Sequence, residues 1–193
     1  MAERLFTRDG VDGVSLRQIA VEAGLRNPAS VQYHFGSKEA LLRAVVELRL
    51  PPINERRLEL LAQLDAEGRS HDLRGLVDAM VRPLLELDDD SPYIDLISRV
   101  GDRDDFADAY ISAGPLGRSM GEIDGRLDDS LGHLSPGVRD NRKRLATTLM
   151  IGGLSRHRSR TTRGEREPLS GEEFGRDLVE AIVGLLSAPE ASA

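Results

Sequence analysis

Apolar side chains recur along this chain at three- and four-residue intervals, and apolar–polar alternation never lasts long enough to make a convincing strand. Leu16, Ile19, Ala20 and Ala23 fall on one side of a helix. Ser15, with Gln18 three residues later, is a capping box at its start, and Gly24 stops it. Asn27-Pro28 reads as an N-cap followed by proline at the first helical position, predicting a short helix to about Phe35 that Gly36 ends. Ser37 caps the next helix, with Leu41, Leu42, Val45 and Val46 as its buried side. Upstream, Met1 to Arg8 reads as the tail end of a helix closed at Asp9-Gly10.

Beyond residue 46 the pattern stays helical. Ser37 to about Leu50 is expected to end at Pro51-Pro52, and a new segment carries Leu60, Leu61 and Leu64 to Gly68. Leu73, Leu76, Val77, Met80, Val81, Leu84 and Leu85 make the cleanest stripe, with Pro83 inside it predicting a kink or an end near Arg82. Ser91-Pro92 opens a helix to about Val100, and Met120, Ile123, Leu127 and Leu131 continue at helical spacing. Ser135-Pro136 opens a long helix with Leu145, Ala146, Leu149, Met150, Gly153 and Leu154, and the polar run from Ser155 to Pro168 reads as a loop. Ser170 and Glu173 form a second capping box, before Phe174, Leu178, Ile182, Val183, Leu185 and Leu186. The expected architecture is all-α: a three-helix head with a helix-turn-helix over 1–46 and a larger helical body over 47–193.

Composition sharpens this reading in two places. Aromatics are only 4% and Cys is absent, so the core is aliphatic and no disulfide or thiolate metal site exists. The start shows no basic stretch followed by an apolar run, and no window approaches a membrane span, so a cytoplasmic protein is expected. The net charge of −7 argues at first sight against nucleic acid, but residues 1–50 carry seven basic and six acidic side chains, leaving −8 on the remainder. A near-neutral head can still approach phosphate if its cations share one face.

The second helix of the helix-turn-helix is unusually poor in core residues. From Asn27 to His34 only Val31, with Phe35 just beyond, suits a core, so the outer face needs another use. Ala29 and Ser30 are small enough to let the backbone approach a surface, while Asn27, Gln32 and Tyr33 carry groups that read base edges. Lys38 and the N–H groups after Ser37 make an anion site suited to phosphate. Other chemistry is thinly represented. His34 has no carboxylate or second histidine near it in sequence, and His71, His133 and His157 are scattered. Asp88-Asp89-Asp90 and Asp102, Asp104, Asp105 and Asp108 lack the Gly-centred loop of a calcium site and read as solvated, so neither a metal nor a cofactor is expected. Arg156, His157, Arg158, Arg160, Arg163 and Arg166 read either as a second nucleic-acid patch or as cations favoured after a helix C-terminus.

The run Ala2-Glu3-Arg4-Leu5-Phe6, then Gly10, Ser15-Leu16-Arg17-Gln18-Ile19-Ala20, Ala23-Gly24 and Tyr33-His34-Phe35-Gly36-Ser37-Lys38-Glu39 resembles the head of the TetR family of bacterial repressors. The likeness covers the first quarter of the chain; beyond it only the architecture is similar. It implies that Ser15 and Arg17 position the head on phosphate, that Ala29, Ser30, Gln32 and Tyr33 enter the major groove, and that His34 and Lys38 contact the DNA backbone. Arg26 and Asn27 complete the expected DNA-binding set; here the chain has one residue more between Gly24 and Tyr33 than the commonest family spacing. The first helix also opens at Met1, where family members carry another turn or two and often a basic arm.

The resemblance further implies a homodimer on a palindromic double-stranded operator, joined through the last two helices, and a small-molecule effector held by the middle ones. On the first, Leu145, Leu149 and Gly153 with Ile182, Leu185 and Leu186 form stripes apolar enough to need a partner. On the second, Met80, Leu84, Tyr93, Phe106, Tyr110, Met120 and Met150 are candidates to line a ligand cavity, each equally plausible as ordinary core. The function expected is a ligand-responsive repressor rather than an enzyme. A helical enzyme or binding protein with a merely structural helix-turn-helix, and a DNA binder without an effector, are the alternatives.

Overall fold

A computed structural model of the chain describes residues 1–88, 91–101 and 117–190. Among them lie nine helices and no strand: α1 (Ala2–Asp9), α2 (Leu16–Glu22), α3 (Ser30–Phe35), α4 (Lys38–Ala66), α5 (Leu73–Leu85), α6 (Tyr93–Val100), α7 (Arg118–Ser130), α8 (Pro136–Thr162) and α9 (Gly171–Ser187). Phe106 and Tyr110, with Asp89, Asp90, Asp102, Asp104, Asp105 and Asp108, lie outside the described residues. The other helices fall where the apolar spacing places them, because each stripe finds a neighbour to bury against.

One aliphatic core runs from head to body. Leu5, Phe6, Leu16, Ile19 and Val31 close the head, Leu42, Val46, Leu50 and Ile53 continue along α4, and Leu61, Leu76, Leu84, Leu96, Ile123, Leu154 and Ile182 fill the body. In the body α5 packs against α4, α7 and α9, while α6 lies on α8 and reaches α1. Gly175 lets α9 approach α5 closely, since a Cβ there would stand 2.5 Å from Leu85 Cδ1. The end of the chain is tied back to the α8/α9 pair. The Glu190 carboxylate accepts hydrogen bonds from the Ser135 amide at 2.8 Å and hydroxyl at 2.7 Å. These bonds hold its carboxyl below the usual glutamate range.

Three expectations are corrected. Helix α4 does not end at Leu50 but runs unbroken through Pro51 and Pro52. The prolines remove the donors that Glu47 and Leu48 carbonyls would otherwise use, and all four residues lie on the exposed side, where water can serve those acceptors. Helix α5, by contrast, ends at Leu85, two residues beyond Pro83 and close to the end expected near Arg82. The polar run after Ser155 is not a loop at first: α8 extends to Thr162, because its polar side chains have partners. Ser155 donates to Asp95 at 2.6 Å, the His157 ring stacks on Phe174 at 4.1 Å, and Arg160 pairs with Glu167 at 2.6 Å. Most of that cluster's cations are thus spent on internal contacts, which favours the reading as helix-end cations.

The third correction concerns the dimer stripe. Ile182 and Leu186 are completely buried in the protomer's own core, and Gly153 faces Leu178 and Phe174 of α9, with its Cβ position 3.4 Å from Leu178. Leu145 and Leu149 point outward, 48% and 38% exposed, and Leu185 is half-buried. A helix that is apolar on two sides presents one to its own core and one elsewhere, and residue type alone does not distinguish them.

Candidate nucleic-acid interface

The geometry of the head follows from its caps. Ser15 Oγ accepts the Gln18 amide at 3.1 Å while Gln18 Oε1 accepts the Ser15 amide at 3.1 Å, so two otherwise orphan donors at the start of α2 are satisfied. Gly24, with φ +70°, turns the chain out of α2. Asn27 does not cap α3 directly. Its Oδ1 accepts the Ala29 amide at 3.0 Å, and its carbonyl accepts both the Ser30 amide and the Ser30 hydroxyl, the latter at 2.7 Å. This turn delays α3 to Ser30 and accommodates the extra residue. Gly36, with φ +75°, ends α3, and Ser37 Oγ accepts the Ala40 amide at 3.1 Å to start α4.

Within α3 only Val31 is buried, and Phe35 is half-buried against the core. Tyr33 is 94% exposed, the most exposed large hydrophobic side chain among the described residues. Gln32 and His34 are exposed on either side of it. The Gln32 amide group donates to the Gly36 carbonyl, and the His34 ring meets Phe35 edge-on, their centroids 4.7 Å apart. Lys38, half-buried, donates from Nζ to the Asp12 carbonyl at 3.3 Å. Ser15, Gln18, Gln32, Ser37 and Lys38 surround a shallow recess of about 380 Å³ beside the N-termini of α2 and α4. Backbone N–H groups, hydroxyls and an ammonium on one recess suit a phosphate oxygen.

Charge is redistributed by pairing. Arg8 is taken by Asp9 at 2.7 Å and Glu22 at 3.7 Å, and Arg49 by Glu3 at 2.8 Å. The hydrogen bond from Arg8 holds the Asp9 carboxyl below its usual value. Arg4, Arg17, Arg26 and Arg43 remain exposed with no ion-pair partner among the described residues. Arg8 and Arg49 are therefore spent on internal pairs, and the cations left to meet a polyanion are those of the exposed arginines.

All ten expected DNA-binding residues thus lie in the head, but they differ in use. Arg17, Arg26, Ala29, Tyr33 and His34 are exposed, whereas Ser15, Asn27, Ser30, Gln32 and Lys38 also hold the local backbone. Reasoning from the sequence did not single out Arg4 and Arg43. The five ligand candidates among the described residues do not come together as one lining: Met80, Tyr93 and Met150 are buried in the core, Met120 is half-buried, and of the five Leu84 alone borders the larger crevice of the body. That crevice, about 720 Å³, lies among α4, α5, α8 and α9, with Leu60, Leu84, Leu154 and Val179 among its apolar walls. No group of three or more acidic or histidine side chains able to hold a metal occurs among the described residues.

Two short helices set by a tight turn, the second carrying an outward polar and aromatic face, form a helix-turn-helix, a shape suited to presenting its second helix to DNA. Residues 1–45 match the family model described as bacterial regulatory proteins, tetR family. Over these residues, less than a quarter of the chain, the head is similar to that family. No curated protein matches the chain. No helix among the described residues is long and apolar enough to cross a membrane.

One prediction arises here. Because Lys38 borders a recess suited to phosphate, Lys38→Ala should weaken all duplexes alike and reduce the salt dependence of binding by about one unit per head. Titrations at several salt concentrations check this, and a selective loss on one sequence would contradict it.

Proposed function

We propose that this chain is a ligand-responsive repressor, a homodimer that binds a palindromic operator in the cytoplasm and is released by a small-molecule effector. Residues 1–46 serve as the DNA-binding unit and 47–193 as the effector-binding and dimerisation unit. The observation that carries the reading is the outward face of α3, where Tyr33 is almost wholly exposed between Gln32 and His34 while Val31 alone anchors the helix. An aromatic ring of that size held in water on a regular helix has no packing purpose in the protomer.

Leu145 and Leu149 on α8, with Leu185 on α9, supply the apolar seam for a second copy and an isologous four-helix interface. Two heads so joined place their recognition helices in successive major grooves, about 34–36 Å apart. The crevice among α4, α5, α8 and α9 has the size of a small-molecule site. Because α4 is continuous from Lys38 beside the DNA recess to Ala66 in the body, displacement of its far end tilts the head.

Selection from a random duplex library tests the reading. It is expected to enrich a palindrome with half-sites one helical turn apart, bound by one dimer. In calorimetry a compound that releases that duplex should bind the complex more weakly than the free protein by about 1–3 kcal/mol, the same amount by which it weakens the duplex. Enrichment of no sequence would overturn the proposal.

A further inference from the structure

Helix α6 is fastened on one side to α8 and bears on the head with its start. On the α8 side, Ser155 Oγ donates to Asp95 Oδ1 at 2.6 Å. One turn on, the Arg158 guanidinium donates to the carbonyls of Leu87 at 3.4 Å and Ser91 at 3.3 Å, and to that of Asp88. On the head side, Thr7 Oγ1 donates to the carbonyl of Pro92, the residue that opens α6, at 3.4 Å, as well as to Glu3 within α1 at 2.9 Å. Helix α1 is in turn tied to α4 by the Arg49–Glu3 pair.

The chemistry of Arg158 sets it apart from its neighbours. Arg160 and Arg163 pair with the carboxylates of Glu165 or Glu167, just beyond the end of α8. Arg158 has no carboxylate partner among the described residues and spends its planar fork on main-chain carbonyls that lead into α6. A guanidinium on several neutral carbonyls fixes backbone position, since each bond is charge-assisted and the fork is rigid.

We propose that Arg158 and Ser155 are positioning residues through which the last turns of α8 set the seat of α1, and with it the tilt of the recognition helix. The head is then governed by two bearings, α4 directly and α8 through α6 and α1. Arg158 also stands on the wall of the 720 Å³ crevice, so a molecule lodged there acts on the head by the same route. Only this last step rests on the effector reading above.

Hydrogen exchange on the full chain, without DNA or effector, tests the route. Arg158→Ala should lower protection of the Leu96 amide, which bonds Pro92, and of the α1 amides by about three- to thirtyfold. Protection in α9 and the mass in solution should stay unchanged. Thr7→Val, which removes the hydroxyl at the far end, should loosen α1 while leaving α6 protected. The double variant should loosen α1 no more than either single one, because both cut one path. Should Arg158→Ala fail to fold, Ser155→Ala paired with Thr7→Val completes the same cycle. Loss of protection in α6 with α1 unmoved, or additive losses in α1, would overturn the proposal. A chain that bound no operator would leave this result standing, so the two readings fail separately.

Discussion

Replacing Leu149 by glutamate is expected to give a folded monomer whose operator affinity has fallen by two orders of magnitude or more. In the protomer Leu149 already meets water on the outer side of α8, so a carboxylate there costs little folding energy. In an isologous dimer the same carboxylate is buried twice without a partner, at about 3–5 kcal/mol for each uncompensated charge. Operator binding then loses the linkage of two half-sites, worth roughly 10²–10⁴ in affinity. Sedimentation, thermal melting and duplex titration read the three effects separately. Ile182→Glu is the contrasting variant: Ile182 is wholly buried, so that substitution should abolish folding rather than assembly. A tight Leu149→Glu dimer would move the interface elsewhere.

Tyr33→Ala should produce the second large effect, and only on DNA. Nothing in the protomer covers that ring, so the melting temperature should stay within experimental scatter of the parent. If the ring meets base edges or sugars in the major groove, its loss should cost about 1–3 kcal/mol per head on the preferred duplex and less on an unrelated one. Lys38→Ala should show the opposite pattern, with uniform weakening and a shallower salt slope. The two variants behaving alike would mean that the register of α3 on DNA is wrong.

The head was legible because its signals are local. The Ser15–Gln18 box, Gly24, Gly36 and the Ser37 cap each act within one helical turn, and the structure places them as the spacing predicts. The α3 start was misplaced by two or three residues because an Asx turn at Asn27 and a helix cap use the same side-chain oxygen. The body was less legible because its decisive interactions are remote. Pro51 and Pro52 look like a break until the exposed side of α4 is known. The polar end of α8 looks like a loop until Asp95, Phe174 and the carbonyls before α6 are set beside it. Ile182 and Leu186 read as well for a partner as for a core, and only packing separated them from Leu145 and Leu149. Arg158 reads in the sequence only as one cation of a basic cluster, since its partners are main-chain atoms about seventy positions away.

The most direct test of the central claim is a fluorescence titration of a selected palindromic duplex with the wild-type chain between about 50 and 200 mM salt, run beside a duplex with one half-site scrambled. A dimeric helix-turn-helix regulator predicts one dimer per palindrome, an affinity that falls steeply and linearly in log–log form with salt, and a large loss when one half-site is scrambled. Equal affinity for the two duplexes, or binding indifferent to salt, would contradict it.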